Sequence, residues 1–180
     1  MEEEKTQKRR FSKELMEWVR ALVIALLAAI FITQVIIVNA QVPTESMVPT
    51  IQAGDRVIGF RLAYLFDPPQ RGDIVIFRYP DDESQYYVKR VIGLPGETVR
   101  VAAGKVYIDG SDTALDDSYI NETMTGDFGP FEVPQNHYFV MGDNRNRSWD
   151  SRYWQNTYVS DEQLVGKAIF RLFPKPGPLR

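Results

Sequence analysis

The sequence predicts a mostly β fold, an antiparallel sheet or barrel-like domain carrying one N-terminal transmembrane helix. Three observations lead there. No charged residue occurs between Ala21 and Thr44. Short runs rich in Val, Ile, Tyr and Phe then recur between Gly- and Pro-containing turns, the mark of strands. Beyond the apolar run no long helical periodicity is present and nothing repeats. A chain of 180 residues, 44% hydrophobic and 25% charged, suits one ordered domain beside that run and excludes wholesale disorder.

Residues 1–20 contain Lys5, Lys8, Arg9, Arg10, Lys13 and Arg20. Lys and Arg flanking an apolar span favour the cytoplasmic side, so this segment is expected inside the cell. A helix needs roughly 20 apolar residues to cross the hydrocarbon core, which residues 21–40 supply. Ser12 is the expected N-cap, with Trp18 and Arg20 as interfacial anchors. A cleavable signal peptide is the alternative, because Val38-Asn39-Ala40 places small residues where a cleavage site needs them. The run exceeds the usual 7–15 residues of such a segment, however. A buried core helix would carry a polar face, and none is present. The expectation is therefore a single-pass signal anchor in the plasma membrane, with residues 41–180 as an extracytoplasmic β-rich domain.

Strands are expected at Arg56–Phe60, Asp73–Tyr79, Tyr86–Ile92, Thr98–Ala102, Lys105–Ile108, His137–Met141 and Ala168–Phe173. Ala103-Gly104 between two of them predicts a hairpin. Leu62–Phe66 is assigned to the core. Arg71-Gly72-Asp73 is assigned to a turn feeding a strand rather than to adhesion. Residues 111–134 form a polar stretch with Gly126, Gly129, Pro130 and Pro134, expected as an insertion or long loop. Asp143–Asn156 is polar yet holds two tryptophans and three arginines, and long loops of that kind often carry function. Pro174–Pro178 is expected to be an irregular tail.

The chemistry is constrained by what is scarce. There are no cysteines and one histidine, His137, which excludes thiol nucleophiles, disulfides and His- or Cys-based metal sites. A net charge of −3 and a pI of about 5.3 make nucleic acid a poor partner. In Pro43–Thr50 two prolines stiffen the chain on either side of Ser46. That suits a nucleophile beside an extended substrate, and equally a plain connector. Lys89 and Arg90 lie in an apolar strand whose neighbouring side chains face opposite ways, so one of the two is expected to point inward. A lysine acts as a general base only when its pKa falls from about 10.4 to near 7–8, roughly 4 kcal/mol of desolvation; an edge-strand lysine in water would read the same way. Met141–Arg152 alternates acids, arginines and hydroxyls, as a hydrogen-bonded scaffold or a solvated loop would.

Taken in order, these segments resemble bacterial type I signal peptidases. The resemblance runs through Glu45-Ser46-Met47-Val48-Pro49-Thr50, Gly54-Asp55-Arg56-Val57, Arg71-Gly72-Asp73-Ile74-Val75, Tyr87-Val88-Lys89-Arg90-Val91-Ile92-Gly93-Leu94-Pro95-Gly96, and Gly142-Asp143-Asn144-Arg145 with Ser148-Trp149-Asp150-Ser151-Arg152. It implies a serine endopeptidase with Ser46 as nucleophile and Lys89 as general base. It implies an oxyanion site from the Ser46 N–H and the Thr44 hydroxyl. Ser148 would orient the lysine amine, Asp150 and Arg152 would form a supporting ion pair near Arg90, and His137 would be structural. The family often has an acid where this chain has Asn146, which leaves no charged role there. The implied partners are exported preproteins and the lipid bilayer, with no metal or organic cofactor. The preprotein would lie extended beside Gln41–Thr44 and Tyr86–Lys89, its small residues held by Val42, Met47, Tyr87 and Val88. Two rivals make different predictions. A self-cleaving Ser–Lys repressor would need a DNA-binding helix pair, which is missing, and no membrane span. A membrane-tethered β binding module would keep its function after Ser46→Ala and Lys89→Met.

Overall fold

The computed structural model describes residues 2–179, with side chains from residue 13 onward. Met1, Arg180 and the side chains up to Ser12, including Lys5, Lys8, Arg9 and Arg10, lie outside the described residues. The chain divides into two units between Ile37 and Val38.

The first unit is helix α1 (Glu2–Phe31), prolonged by a π-helical turn at Ile32–Ile36. The helix begins well before Ser12, so Ser12 is an interior residue and not the N-cap. Within Lys13–Ile36 an 18-residue window reaches a mean hydropathy of 2.4, and none of that window is buried. Among the described residues this is the one helix long and apolar enough to cross a membrane. Its end differs from the expected Ala40. The turns stop at Ile36, and Ile37–Gln41 is a strand. The reason lies in the β-branched run Ile36-Ile37-Val38, which favours extended backbone once a sheet edge is available to pair with.

The second unit is β-rich. In chain order the strands, the first of which begins at the last residue of the first unit, are β1 (Ile37–Gln41), β2 (Arg56–Phe60), β3 (Ile74–Tyr79), β4 (Asp82–Gly93), β5 (Thr98–Ala102), β6 (Lys105–Ile108), β7 (Phe128–Glu132), β8 (His137–Met141), β9 (Val159–Ser160), β10 (Leu164–Phe173) and β11 (Gly177–Pro178). The larger sheet has the order β1-β2-β10-β3-β4-β8-β9, with β11 paired to β10, and a smaller sheet has the order β6-β5-β7. The expected hairpin is β5–β6, closed by Ala103 and Gly104 at φ 50° and 75°, the two positive angles that a tight two-residue turn demands.

β3 explains why the sheet interior reads as an unbroken apolar run. Its successive side chains alternate between faces, and both faces are covered. Ile74 and Ile76 join Met47, Ile51, Val57 and Val88 in one cluster, while Val75 and Phe77 join Val91, Tyr138, Val140 and Trp154 in another. A third cluster, with Ile92, Val99, Val101, Phe139 and Met141, packs the smaller sheet. Val38 of β1 belongs to the first cluster, so cutting after Ala40 would strip a core residue and most of a strand from the sheet.

Three further expectations change. Residues 111–134 are not wholly a loop, since β7 lies within them as an edge strand, the one place in a sheet where Pro130 is tolerated. The tail is not irregular: β10 pairs with β3 only as far as Lys167, and Gly177–Pro178 pair with it at Arg171 and Phe170. Leu62–Phe66 is not core. After a 3-10 turn at Arg61–Tyr64 only Tyr64 packs inward, and Leu65 and Phe66 are 64% and 88% exposed. Arg71-Gly72-Asp73 does form a turn, with Gly72 at φ 91°. Asp73 is held there by the Tyr64 hydroxyl (3.1 Å) and Lys167 (2.6 Å).

Candidate active site

Ser46 sits at a bend that the surrounding chain holds on both sides. Before it, Val42 exchanges backbone hydrogen bonds with Asp55 and Gly54 (2.9 and 2.7 Å). At the bend, Asn144 donates its N–H to the Ser46 carbonyl (3.1 Å) and its side-chain amide to the Glu45 carbonyl (3.0 Å). After it, the fully buried Met47 and Ile51 anchor the turn in the core. The backbone that carries the Ser46 side chain is therefore held in place.

Lys89 comes from the middle of β4, opposite Val75 of β3. Its Nζ lies 2.6 Å from Ser46 Oγ, and Thr44 Oγ1 lies 3.2 Å from the same oxygen. Lys89 is only 3% exposed. Burial pushes its pKa down to about 8; Asp150 and Asp143 pull the other way, and Arg152 adds to the fall. At that pKa the amine is partly neutral at ordinary pH. A neutral amine nitrogen has a lone pair that can accept a proton, which an ammonium lacks.

Alternation predicts that one of Lys89 and Arg90 points inward. Both are buried, because both faces of β4 are covered at this point. Arg90 forms two hydrogen bonds to Asp143 (2.8 and 2.7 Å), whose Oδ2 also accepts from Thr50 (2.5 Å). Arg152 binds Asp150 in the same two-pronged way (2.8 and 2.9 Å). Two buried pairs thus stand here, Arg90 with Asp143 and Arg152 with Asp150. Removing one partner of such a pair leaves the other charge buried alone, which costs about 3–5 kcal/mol. Asp150→Ala is accordingly expected to lower unfolding stability by that amount, as measured by urea titration.

Gly142 lies at the centre of this scaffold. Its N–H donates to Asp150 Oδ2 (3.0 Å) and its carbonyl accepts from Arg145 Nε (3.2 Å). A Cβ added there would stand 2.2 Å from Ser148 Oγ and 2.3 Å from the Ser46 carbonyl oxygen, so only glycine fits. Ser148 is buried, and its Oγ makes no hydrogen bond among the described residues. No Ser148–Lys89 hydrogen bond is formed; the hydrogen bond of the amine goes to Ser46.

Ser46 and Lys89 open onto a cleft of about 310 Å³, whose walls include Val42, Thr44, Tyr87 and Val88. Met47 is not among its walls and belongs to the core cluster with Val42 and Val88. Sequence reasoning overlooked Trp149, which also lines the cleft and donates its indole N–H to Tyr79 (3.2 Å). A half-exposed tryptophan in a polar loop was the available signal. His137 lies away from the cleft on β8, its Nδ1 donating to the Gln135 carbonyl (2.8 Å). Among the described residues no group of His, Asp or Glu is arranged to hold a metal ion.

A β domain with a buried hydroxyl–amine pair at the wall of an open cleft has the parts of a hydrolase. The family described as "Signal peptidase, peptidase S26" matches residues 15–173. A signal peptidase I of Leptolyngbya laminosa is 38% identical over 167 residues, covering 89% of this chain and 80% of that protein. One from Bacillus licheniformis is 38% identical over 184 residues, covering 97% and 96%. A solved signal peptidase I from Enterococcus faecalis V583 is 38% identical, with a TM-score of 0.49, covering 56% of this chain and 97% of that one. The chain belongs to the signal peptidase family, peptidase S26. Its activity is accordingly that of a signal peptidase I, and its β architecture with one apolar N-terminal helix is the expected one.

Proposed function

We propose that the protein is a membrane-anchored serine endopeptidase that removes signal peptides from exported preproteins after small residues. Ser46 is the nucleophile and Lys89 the general base. The 2.6 Å approach of their side chains inside the cleft carries this reading.

The preprotein lies extended between Gln41–Thr44 and Gln85–Lys89, pairing its backbone as an added strand. Val42, Tyr87 and Val88 limit the space beside it to small side chains. Neutral Lys89 takes the Ser46 proton as Oγ attacks the scissile carbonyl. The Ser46 N–H and the Thr44 hydroxyl face the oxyanion, each such donor contributing about 3–4 kcal/mol in comparable sites. The ammonium of Lys89 then protonates the leaving amine, and the regenerated amine activates the water that releases the acyl group.

The helix anchors the enzyme in the plasma membrane, with residues 1–20 on the cytoplasmic side and the β domain outside. The substrate is held by the same bilayer through its own apolar segment. Confining both to one surface raises their effective concentration without any added contact. Preprotein and lipid are thus the partners, and nucleic acid is not.

The test uses full-length protein in detergent micelles with a preprotein substrate. Wild-type protein is expected to make one cut after a small residue, and Ser46→Ala to make none while its circular dichroism stays unchanged. Cleavage that survives Ser46→Ala would end this reading, as would a wild-type protein that binds the preprotein and never cuts it.

A further inference from the structure

Between β6 and β7 the chain makes a long excursion whose side chains reach the loop carrying Ser148 and Asp150. Arg145 of that loop is fully buried. It donates to both oxygens of Asp117 (2.9 and 2.8 Å) and to the Tyr119 hydroxyl (2.9 Å). The Tyr119 ring also carries the Arg90 guanidinium on its face, 4.2 Å from the centroid. Further along, Glu122 accepts the N–H and the side-chain amide of Asn146 (2.9 and 3.0 Å), and Asn146 Oδ1 accepts from Thr125 (2.8 and 3.0 Å). An aspartate at 146 would face Glu122 with like charge, so the neutral residue found there matches the excursion.

These contacts converge on one residue. The Gly142 carbonyl is held by Arg145, its N–H is held by Asp150, and its α-carbon abuts Ser46 and Ser148. One of the two clamps therefore has its anchor outside the catalytic loop, on Asp117 and Tyr119.

We propose that Asp117 and Tyr119 are positioning residues for hydrolysis, acting through Arg145 on Gly142 to set Ser46 against Lys89. This rests on the Ser46–Lys89 reading above. A displacement near 1 Å at a reacting group costs about 10²-fold in rate, so loosening the Arg145 clamp acts on kcat. It leaves KM alone, because neither residue lines the cleft.

The experiment measures kcat and KM on a preprotein for wild type, Ser46→Ala, Asp117→Asn, Asp117→Glu and Tyr119→Phe, each well below its own unfolding midpoint. Asp117→Asn is expected to lower kcat about 10²-fold and Tyr119→Phe about tenfold, being the loss of one hydrogen bond. KM stays within about twofold, and Asp117→Glu recovers most of the rate. Wild-type kcat in both Asp117→Asn and Tyr119→Phe would overturn the proposal. So would a loss confined to KM, or a loss that Asp117→Glu fails to relieve. If Asp117→Asn does not fold, Tyr119→Phe decides alone, since it removes only a hydroxyl. An inactive wild type or an active Ser46→Ala brings down the dyad reading and this proposal together, an outcome distinct from any change in the Asp117 or Tyr119 variants.

Discussion

Replacing Lys89 with methionine is expected to abolish preprotein cleavage and, at neutral pH, to make the protein harder to unfold. The two effects share one cause. Burial holds the Lys89 pKa at about 8 instead of its ordinary 10.5, a difference equivalent to about 3 kcal/mol. The folded state therefore holds this proton more weakly than the unfolded chain. Between pH 8 and 10.5 the unfolded chain binds more protons, so wild-type stability rises with pH across that interval. Below pH 8 the native state carries a charged amine at a net cost, and methionine removes that cost at nearly equal volume. The variant should gain up to about 3 kcal/mol at about pH 7 in urea unfolding, with the gain vanishing near pH 10.5. Turnover should drop by about 10³-fold or more, since loss of the proposed general base alone costs about 10²–10⁴-fold. In wild type, kcat/KM should climb on the acid side with an apparent pKa near 8. A limb that still climbs steeply at about pH 10, the range of a solvated lysine, would contradict the buried geometry. So would a Lys89→Met variant that is less stable than wild type at neutral pH.

Gly142→Ala is the second large effect. The added methyl would meet Ser148 Oγ at 2.2 Å and the Ser46 carbonyl at 2.3 Å, both far inside the 3.0 Å limit that real Cβ atoms respect. Ser148 could rotate away, but the Ser46 carbonyl is backbone. It can only move together with the rest of Ser46. The expected result is a fall in kcat of about 10²-fold with an overpacking loss of about 1–3 kcal/mol. Adding Ser148→Ala relieves one clash and leaves the other, so the double variant should stay impaired. Gly177→Ala, with nothing within 4 Å, provides the unaffected control. A Gly142→Ala enzyme of normal kcat would mean that this peptide does not hold Ser46 in place.

Wherever a strand is defined by its own side chains, its position could be read from the residues; β2, β5, β6 and β8 lie where the apolar runs place them. Strands that exist because of a distant partner could not. β1 is extended because β2 lies beside it, and Gly177–Pro178 become a strand only where β3 leaves one side of β10 open. Nothing local marks either event. At the site, Ser46 and Lys89 were each ambiguous alone, because a proline-bounded serine and a strand lysine have commoner uses. Their order among the other segments, matched to a family, separated the readings. Arg90 shows where alternation fails: it predicts one buried cation, and a strand covered on both faces holds two. The pairing of Arg90 with Asp143 and of Arg145 with Asp117 joins residues 53 and 28 positions apart, distances at which sequence gives no register.

The three arginine–carboxylate pairs around Gly142 have an effect on the medium the enzyme tolerates. Ions in solution weaken exposed charge pairs over a Debye length of about 8 Å in physiological saline, yet they scarcely reach pairs sealed from water. Arg90–Asp143 and Arg152–Asp150 are sealed in this way, with side chains at most 4% exposed. The acidity of Lys89 is thus set by a fixed internal atmosphere. Dilution or brine outside would change how often a charged preprotein arrives, while the reactivity that meets it stays constant.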